Sequence, residues 1–310
     1  MSRNKKIVIT SGDPAGCGPL ITLEAIRQFG NKNVELIVVG DRKIFQRFPA
    51  YQSLKARARF IDLNTPGIKN ISPGRVSSLS GKASLDYLKQ ALEIIKKDKI
   101  KRLVTAPLSK EAVQSIKKKF SGHTEYLQDH FRAAQVEMMM VSKQLKVVLL
   151  TRHTVLRKAG ALINSKDVAK TLELVYTSLK QQFKIKKPRI VLASFNPHAG
   201  VDTFLEKEEK EIVSGISKFK GKTYGPYPAD SLFTKDNLKL YDCVISTYHD
   251  QAMIPFKLLS MKDGINLTLG LPVIRTSPAH GPAFDLIRQD KKPFSSSMLE
   301  AIKLAVQLTN

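Results

Sequence analysis

Tryptophan is absent from the 310 residues, cysteine occurs twice, and acidic residues are scarce, with 27 Asp plus Glu against 51 Lys plus Arg. Two cysteines, Cys17 and Cys243, leave no room for a disulfide framework and point to a reducing, cytoplasmic setting. No apolar run reaches the roughly 18 residues a membrane-spanning helix needs. The opening MSRNKKIVIT passes from two lysines straight into a strand-like run, without the apolar stretch and small-residue cleavage site of a signal peptide. Repeats and low-complexity linkers are also missing. What is present is ordinary for a globular chain: 42% hydrophobic and 25% charged residues, which excludes wholesale disorder. A chain this long can bury a sizeable core, as one domain or as two lobes.

The shortage of acid leaves a formal net charge of +24, which raises the possibility of a nucleic-acid partner. Much of that charge sits in IIKKDKIKR (94–102), SIKKKF (115–120) and FKIKKPR (183–189). These are helix ends and the turns after them, where lysines complement the helix dipole and stay in water. No helix-turn-helix signature, zinc-finger spacing or base-stacking aromatic strand pair accompanies them. A basic solvated surface with some attraction for anionic substrates is the simpler reading.

Short β-branched runs recur at KIVIT (6–10), VELIVVG (34–40), KRLVTAP (101–107), KVVLLT (146–151), RIVLAS (189–194) and YDCVISTY (241–248). Such runs suit strands buried on both faces. Helical periodicity appears between several of them. ASLDYLKQALEIIKK (83–97) puts Leu85, Leu88, Ala91, Leu92 and Ile95 on one face, with Ser84 or Asp86 near its start, and a second helix opens at Ser165 or Asp167. Alternating strands and helices predict an α/β fold with a mostly parallel sheet. The Gly-, Pro- and Ser-rich stretch 64–82 reads as a long surface loop, near which a lobe boundary can fall.

Five of the six histidines lie at the edges of predicted elements, where open α/β sheets place ligand sites. His153 ends the strand KVVLLT, His198 follows RIVLASF in an Asn-Pro-His-Ala-Gly turn, and His249 follows YDCVISTY. Either they cap three strands separately, or they gather at one sheet edge as three imidazole ligands for a divalent cation, with an open position for a substrate hydroxyl. Asp250, beside His249, and Asp230, in GPYPADSLF, are carboxylates able to orient such imidazoles; Asp230 can equally be the N-cap of a short helix. For a substrate anion the candidates are His123 and Thr124 in SGHTEYL, Lys257 in MIPFKLL, Asn266 in GINLTLG and Arg275 in VIRTS. Arg275 falls between an apolar strand, LPVI, and a Thr-Ser pair. The glycine-rich ITSGDPAGCGP (9–19) lacks the full dinucleotide fingerprint, because Leu20 and Ile21 stand where its last glycine belongs, and it has no Walker lysine. It reads as a tight strand-to-helix turn near an active site.

Nine motifs, ITSGDPAGCGP, VTAPLSK, GHTEYL, TRHTVLR, NPHAG, GPYPADSLF, YHDQAMIPFK, GINLTLGLPVIRTS and AHGPAFDL, occur in that order. Together, over about residues 6 to 305, they closely resemble the 4-hydroxythreonine-4-phosphate dehydrogenase family of pyridoxal phosphate biosynthesis. The resemblance implies a two-lobed α/β/α fold like the isocitrate and isopropylmalate dehydrogenases, with residues 1–310 forming two interwoven lobes and the active site in their cleft. It implies a divalent cation (Zn, Mg, Co or Mn) on His153, His198 and His249, and substrate contacts from His123, Thr124, Lys257, Asn266 and Arg275. It further implies a homodimer whose active site draws on both subunits, and NAD or NADP near AHGPAFDL, with His280 and Gly281 beside it. The implied reaction oxidises 4-phosphohydroxy-L-threonine, then releases carbon dioxide to leave 3-amino-2-oxopropyl phosphate. Lys257, Asp250 and Asp230 are the candidates for proton transfer and site electrostatics.

The chain departs from the family pattern in places. Leu20 stands where Glu is expected, Cys17 replaces an apolar residue, Arg152 precedes His153, and RQDKKPFSSS lacks the usual glycines; Arg288, Lys291 and Lys292 there either contact a cofactor phosphate or lie in a solvated loop. Two rivals remain: a dehydrogenase of erythronate or threonate 4-phosphate, and a basic nucleic-acid-binding protein.

Overall fold

The computed structural model describes residues 5–200 and 206–309. Its strands are β1 (Lys5–Thr10), β2 (Val34–Gly40), β3 (Arg59–Asp62), β4 (Arg102–Thr105), β5 (Glu137–Val141), β6 (Lys146–Thr151), β7 (Ile190–Ala193), β8 (Thr223–Tyr227), β9 (Cys243–Tyr248), β10 (Ile265–Leu269) and β11 (Ile274–Pro278). The chain divides into two compact units, residues 1–134 with 271–308, and residues 135–270. The stretch 64–82 lies inside the first.

In the first unit the strand order is β3-β2-β1-β4-β11, and every pair is parallel. Ile7, Val8 and Ile9 are consecutive and all fully buried, so both faces of β1 are covered, as a parallel sheet with crossover helices requires. In the second unit the order is β10-β5-β6-β9-β7-β8. Here β5 runs antiparallel to both of its neighbours, β10 and β6, while β6, β9, β7 and β8 are parallel. The predicted mostly parallel α/β architecture is the one observed. No helix among the described residues is long and apolar enough to cross a membrane.

The helix predicted from 83 starts earlier, at Ser78, and runs to Lys97. Ser77, not Ser84 or Asp86, is its cap: the Ser77 hydroxyl accepts from the Ser80 backbone N–H at 3.1 Å. Lys96 and Lys97 fall in its last turn, at the negative end of the dipole. The predicted stripe is buried, and each fully buried leucine in it contributes about 2 kcal/mol. A Cβ on Gly81 would lie 2.0 Å from the Ala112 carbonyl oxygen. The small residues that resemble loop composition here serve instead to let two helices approach closely. The second predicted helix spans Ser165–Gln181, capped by Asn164, whose Oδ1 accepts from the Asp167 N–H at 2.9 Å.

Candidate active site

The carboxyl ends of β1, β4 and β11 lie side by side in the first unit, and the order of its strands reverses between β1 and β4. Open α/β sheets bind their ligands at such a switch point. The glycine-rich turn leaves β1 there. Gly12 has φ of 70° and a Cβ on it would stand 2.2 Å from the Pro107 oxygen, so only glycine fits. The Asp13 N–H donates to Pro107 O at 2.9 Å, and the Cys17 N–H donates to Pro282 O at 2.8 Å. The turn is thus fastened both to the loop after β4 and to the AHGPAFDL segment after β11. Cys17 Sγ also lies 3.6 Å from Gly281 O, and His280 Nδ1 lies 2.9 Å from the same oxygen.

Asp13 is fully buried in this turn. Its Oδ1 accepts from the Ala15 N–H at 2.8 Å, while Oδ2 has no hydrogen-bond partner. Burial pushes its carboxyl up to about 6, against the pull of Ala15, Ser80 and Ser109.

A cationic subsite lies in the same unit. Arg275 belongs to β11 itself, instead of following it, and is 3% exposed. Its Nε and one terminal nitrogen donate to Thr105 Oγ1 at 3.1 and 2.7 Å. Burial lowers its pKa to about 10, opposed by Glu125, so the guanidinium stays charged at neutral pH. His123 and Thr124 open the helix His123–Phe131. Gly122, with φ of 146°, makes the turn into it; a Cβ there would crowd Glu125 Oε2 and Lys110 Cε, each at 3.2 Å. Tyr126, on the same helix, packs on a small core of Leu85, Leu108, Val113 and Phe120. Burial, then Arg275 and Lys110, hold His123 well below the usual imidazole range, so it is neutral and free to donate or accept one hydrogen bond. An arginine fork, a lysine and a neutral imidazole form a recognition set for a phosphate or carboxylate. Lys110 and Thr105 were missed by sequence reading, although both stand in the VTAPLSK motif.

The second unit carries the imidazoles. β6, β9 and β7 are adjacent and parallel, so the loops bearing His153, His249 and His198 all leave one edge. Thr151 pairs in register with Tyr248, which brings the next residues of the two strands together. The His153 and His249 rings accordingly lie 5.4 Å apart, centroid to centroid. Two imidazoles sharing a tetrahedral ion at the usual metal–nitrogen distance stand about 5 Å apart. His249 Nδ1 is 2.7 Å from Asp250 Oδ1; with the proton on Nδ1, the ring is oriented and Nε2 is left as a ligand. His198 is exposed and lies in the 3-10 turn Pro197–Gly200, where it and Ala199 both have positive φ, 55° and 54°. Among the described residues no three His, Cys, Asp or Glu side chains gather as a metal-holding group. One chain therefore presents a fitting pair, and the full three-imidazole set is not assembled by its described residues.

The remaining candidates are dispersed through this unit. Asn266 lies in β10 with a buried Oδ1 that has no hydrogen-bond partner, a polar atom suited to a ligand. Lys257 is half-buried on the helix His249–Ser260, and burial lowers its pKa. Asp230 is exposed in the first turn of Ala229–Leu232, whose N-cap is Pro228, so Asp230 is not the capping residue.

Residues 30–305 match the family described as pyridoxal phosphate biosynthetic protein PdxA. The chain is 36% identical to a 4-hydroxythreonine-4-phosphate dehydrogenase of Desulforapulum autotrophicum, covering 98% of this chain and 96% of the relative. It is 35% identical to a D-threonate 4-phosphate dehydrogenase of Salmonella typhimurium, covering 98% and 99%. A crystal structure of 4-hydroxythreonine-4-phosphate dehydrogenase from Klebsiella pneumoniae superimposes with a TM-score of 0.82 at 29% identity, covering 97% of this chain and 98% of that one. Fold and relatives define the class: a dehydrogenase with a cationic subsite at one sheet edge and paired imidazoles at another. Within that class, the chain belongs to the pyridoxal phosphate biosynthetic protein PdxA family.

Proposed function

We propose that this chain oxidises the hydroxyl of 4-phosphohydroxy-L-threonine with NAD or NADP, and that the resulting β-keto acid loses carbon dioxide to give 3-amino-2-oxopropyl phosphate in pyridoxal 5'-phosphate biosynthesis. The observation that carries the reading is the apposition of His153 and His249, with Asp250 orienting one ring. His153, His249 and His198 would hold a divalent cation (Zn, Mg, Co or Mn), His198 coming from the same chain or from a second copy. The chemistry such a cation would supply there is Lewis acidity toward the substrate oxygens. The exposed Gly281 and its neighbour His280 lie on the segment suited to contact a nicotinamide cofactor, which would supply a hydride acceptor for the hydroxyl-bearing carbon.

The chain's own groups supply binding and proton handling. Arg275, Lys110, His123 and Thr124 hold the anionic end of the substrate, and Asn266 offers an unused acceptor to a substrate N–H or O–H. Lys257, with a pKa drawn down by burial, is the candidate for moving the hydroxyl proton, with Asp250 and Asp230 setting the local field.

Homodimerisation is part of this reading. Ile254, Leu258 and Met261 are 60%, 82% and 72% exposed and recur at helical spacing along and just past the helix that starts with His249. An exposed apolar stripe of this kind suits a protein partner. A second copy is the partner favoured here, because a twin subunit would also complete the ligand set.

A second substrate reading has its own support, since a relative at 35% identity, against 36% for the first, is named for D-threonate 4-phosphate. A substrate panel with NAD and NADP, on enzyme reconstituted with each metal and on His198→Ala, separates the two. Turnover of 4-phosphohydroxythreonine that a chelator abolishes and His198→Ala largely removes is the expected result. Reduction of NAD by the sugar-acid phosphates alone would move the assignment to the second substrate.

A further inference from the structure

The three histidine-bearing loops of the second unit are joined by a buried polar lattice. Gln251, two residues after His249 and 8% exposed, uses both ends of its amide. Its Oε1 accepts from the Thr247 N–H at 2.8 Å and from the Thr247 hydroxyl at 3.0 Å, and its Nε2 donates to Ser194 O at 2.7 Å. The end of β9 is thereby tied to the start of the His198 loop. Thr151, two residues before His153, donates its hydroxyl to Thr247 O at 2.6 Å and brings in β6. Phe195 and Tyr248 meet edge to face, with centroids 5.9 Å apart.

Glu209 closes the lattice from the helix Lys207–Lys218. The residue is fully buried, yet among the described residues the hydrogen bonds to its carboxylate come from two residues of the His198 loop. Oε1 accepts from the Phe195 and Asn196 backbone N–H groups at 2.9 and 2.8 Å, and Oε2 accepts from Asn196 Nδ2 at 2.7 Å. Burying a carboxylate is costly unless hydrogen bonds compensate it, so this group is committed to fixing that loop. Two residues further on, His198 and Ala199 hold left-handed backbone angles, which persist in non-glycine residues only where the surroundings over-determine them.

We propose that Gln251 and Glu209 are positioning residues, which set the places of His198, His249 and His153 relative to one another without touching substrate or cofactor. The inference rests on the metal-ligand reading of those histidines for its consequence, though not for its geometry.

The test uses the full-length, metal-free chain titrated with Co²⁺, with the visible spectrum of the bound ion as readout, alongside backbone hydrogen exchange. Gln251→Met and Glu209→Met should weaken cobalt binding by about tenfold or more, the range seen when groups supporting metal ligands are removed, and should alter the spectrum. Glu209→Met should also lose exchange protection at the Phe195 and Asn196 amides, and Gln251→Met at the Thr247 amide. Glu209→Gln should recover most of the affinity, because the Asn196 amide can turn to match it. A cavity variant, Val244→Ala in β9, should lower the unfolding midpoint and leave cobalt affinity unchanged. Methionine variants that bind cobalt like the parent with the same spectrum, or an equal loss of affinity in Val244→Ala, would overturn the proposal. If the parent takes up no cobalt, the metal reading fails alone. The exchange data then decide the positioning role: lost protection at Phe195 and Asn196 in Glu209→Met and at Thr247 in Gln251→Met upholds it, and unchanged protection ends it.

Discussion

Arg275 and Asp13 show what burial does to single charged groups. Arg275 keeps its charge because Thr105 and Glu125 are close, and its fork is the part that a phosphate or carboxylate would engage. Arg275→Lys keeps the charge and loses the fork, so kcat/KM should fall by about tenfold or more, the worth of one strong charge-assisted hydrogen bond, with the fold intact by circular dichroism. Asp13 makes a different prediction. Its folded pKa, about 6, stands above the ordinary 3.8, so the folded state binds this proton more tightly than the unfolded chain does. The associated stabilisation is complete below pH 3.8 and is lost as pH rises through 6, a swing of about 3 kcal/mol. Asp13→Asn should therefore gain stability relative to the parent between pH 4 and pH 8, read from urea midpoints; parallel pH profiles for the two proteins would contradict this. At this scale the sequence revealed which histidines and which arginine to watch. It did not reveal their partners, because Thr105, Lys110 and Glu125 lie some 150 residues or more from Arg275: the first is brought near by the pairing of β4 with β11, the other two by helices that follow β4.

The elements were most legible where periodicity was strong. VELIVVG and KVVLLT are strands over the residues expected, and their burial on both faces explains the unbroken apolar runs. β5, EMMMV, escaped notice because unbranched methionines carry little strand signal. The stretch 64–82 reads as loop although its last residues, from Ser78, are helical, because Ser78, Ser80 and Gly81 resemble loop composition; Gly81 instead lets the helix that Ser77 caps approach the Ala112 carbonyl closely. Ser77→Ala should cost about 1 kcal/mol in equilibrium unfolding, whereas Ser84→Ala, in the helix interior, should cost less. A cap at Ser84 would reverse that order.

For the whole molecule, the family and the fold class were within reach of an ordered set of motifs, while the grouping of side chains was not. Which imidazoles meet depends on strand order: β6 beside β9 pairs His153 with His249, and no local spacing encodes that neighbour. The apolar stripe on Ile254, Leu258 and Met261 makes the quaternary prediction. Ile254→Lys with Leu258→Lys should shift the mass in light scattering from dimer to monomer and abolish turnover, while leaving the monomer folded. A double variant that stays dimeric would place the interface elsewhere. The +24 charge finds no motif for nucleic acid, and a salt titration of any such binding, set against chelator-sensitive turnover, distinguishes the two uses of the chain.

The ties from Asp13 to Pro107 and from Cys17 to Pro282 have a mechanical consequence. The three loops here share a spine, so none can swing without dragging the others or breaking these main-chain hydrogen bonds. A ligand arriving at this edge of the first unit meets a rigid mould, and little of its binding energy goes into ordering the wall it touches.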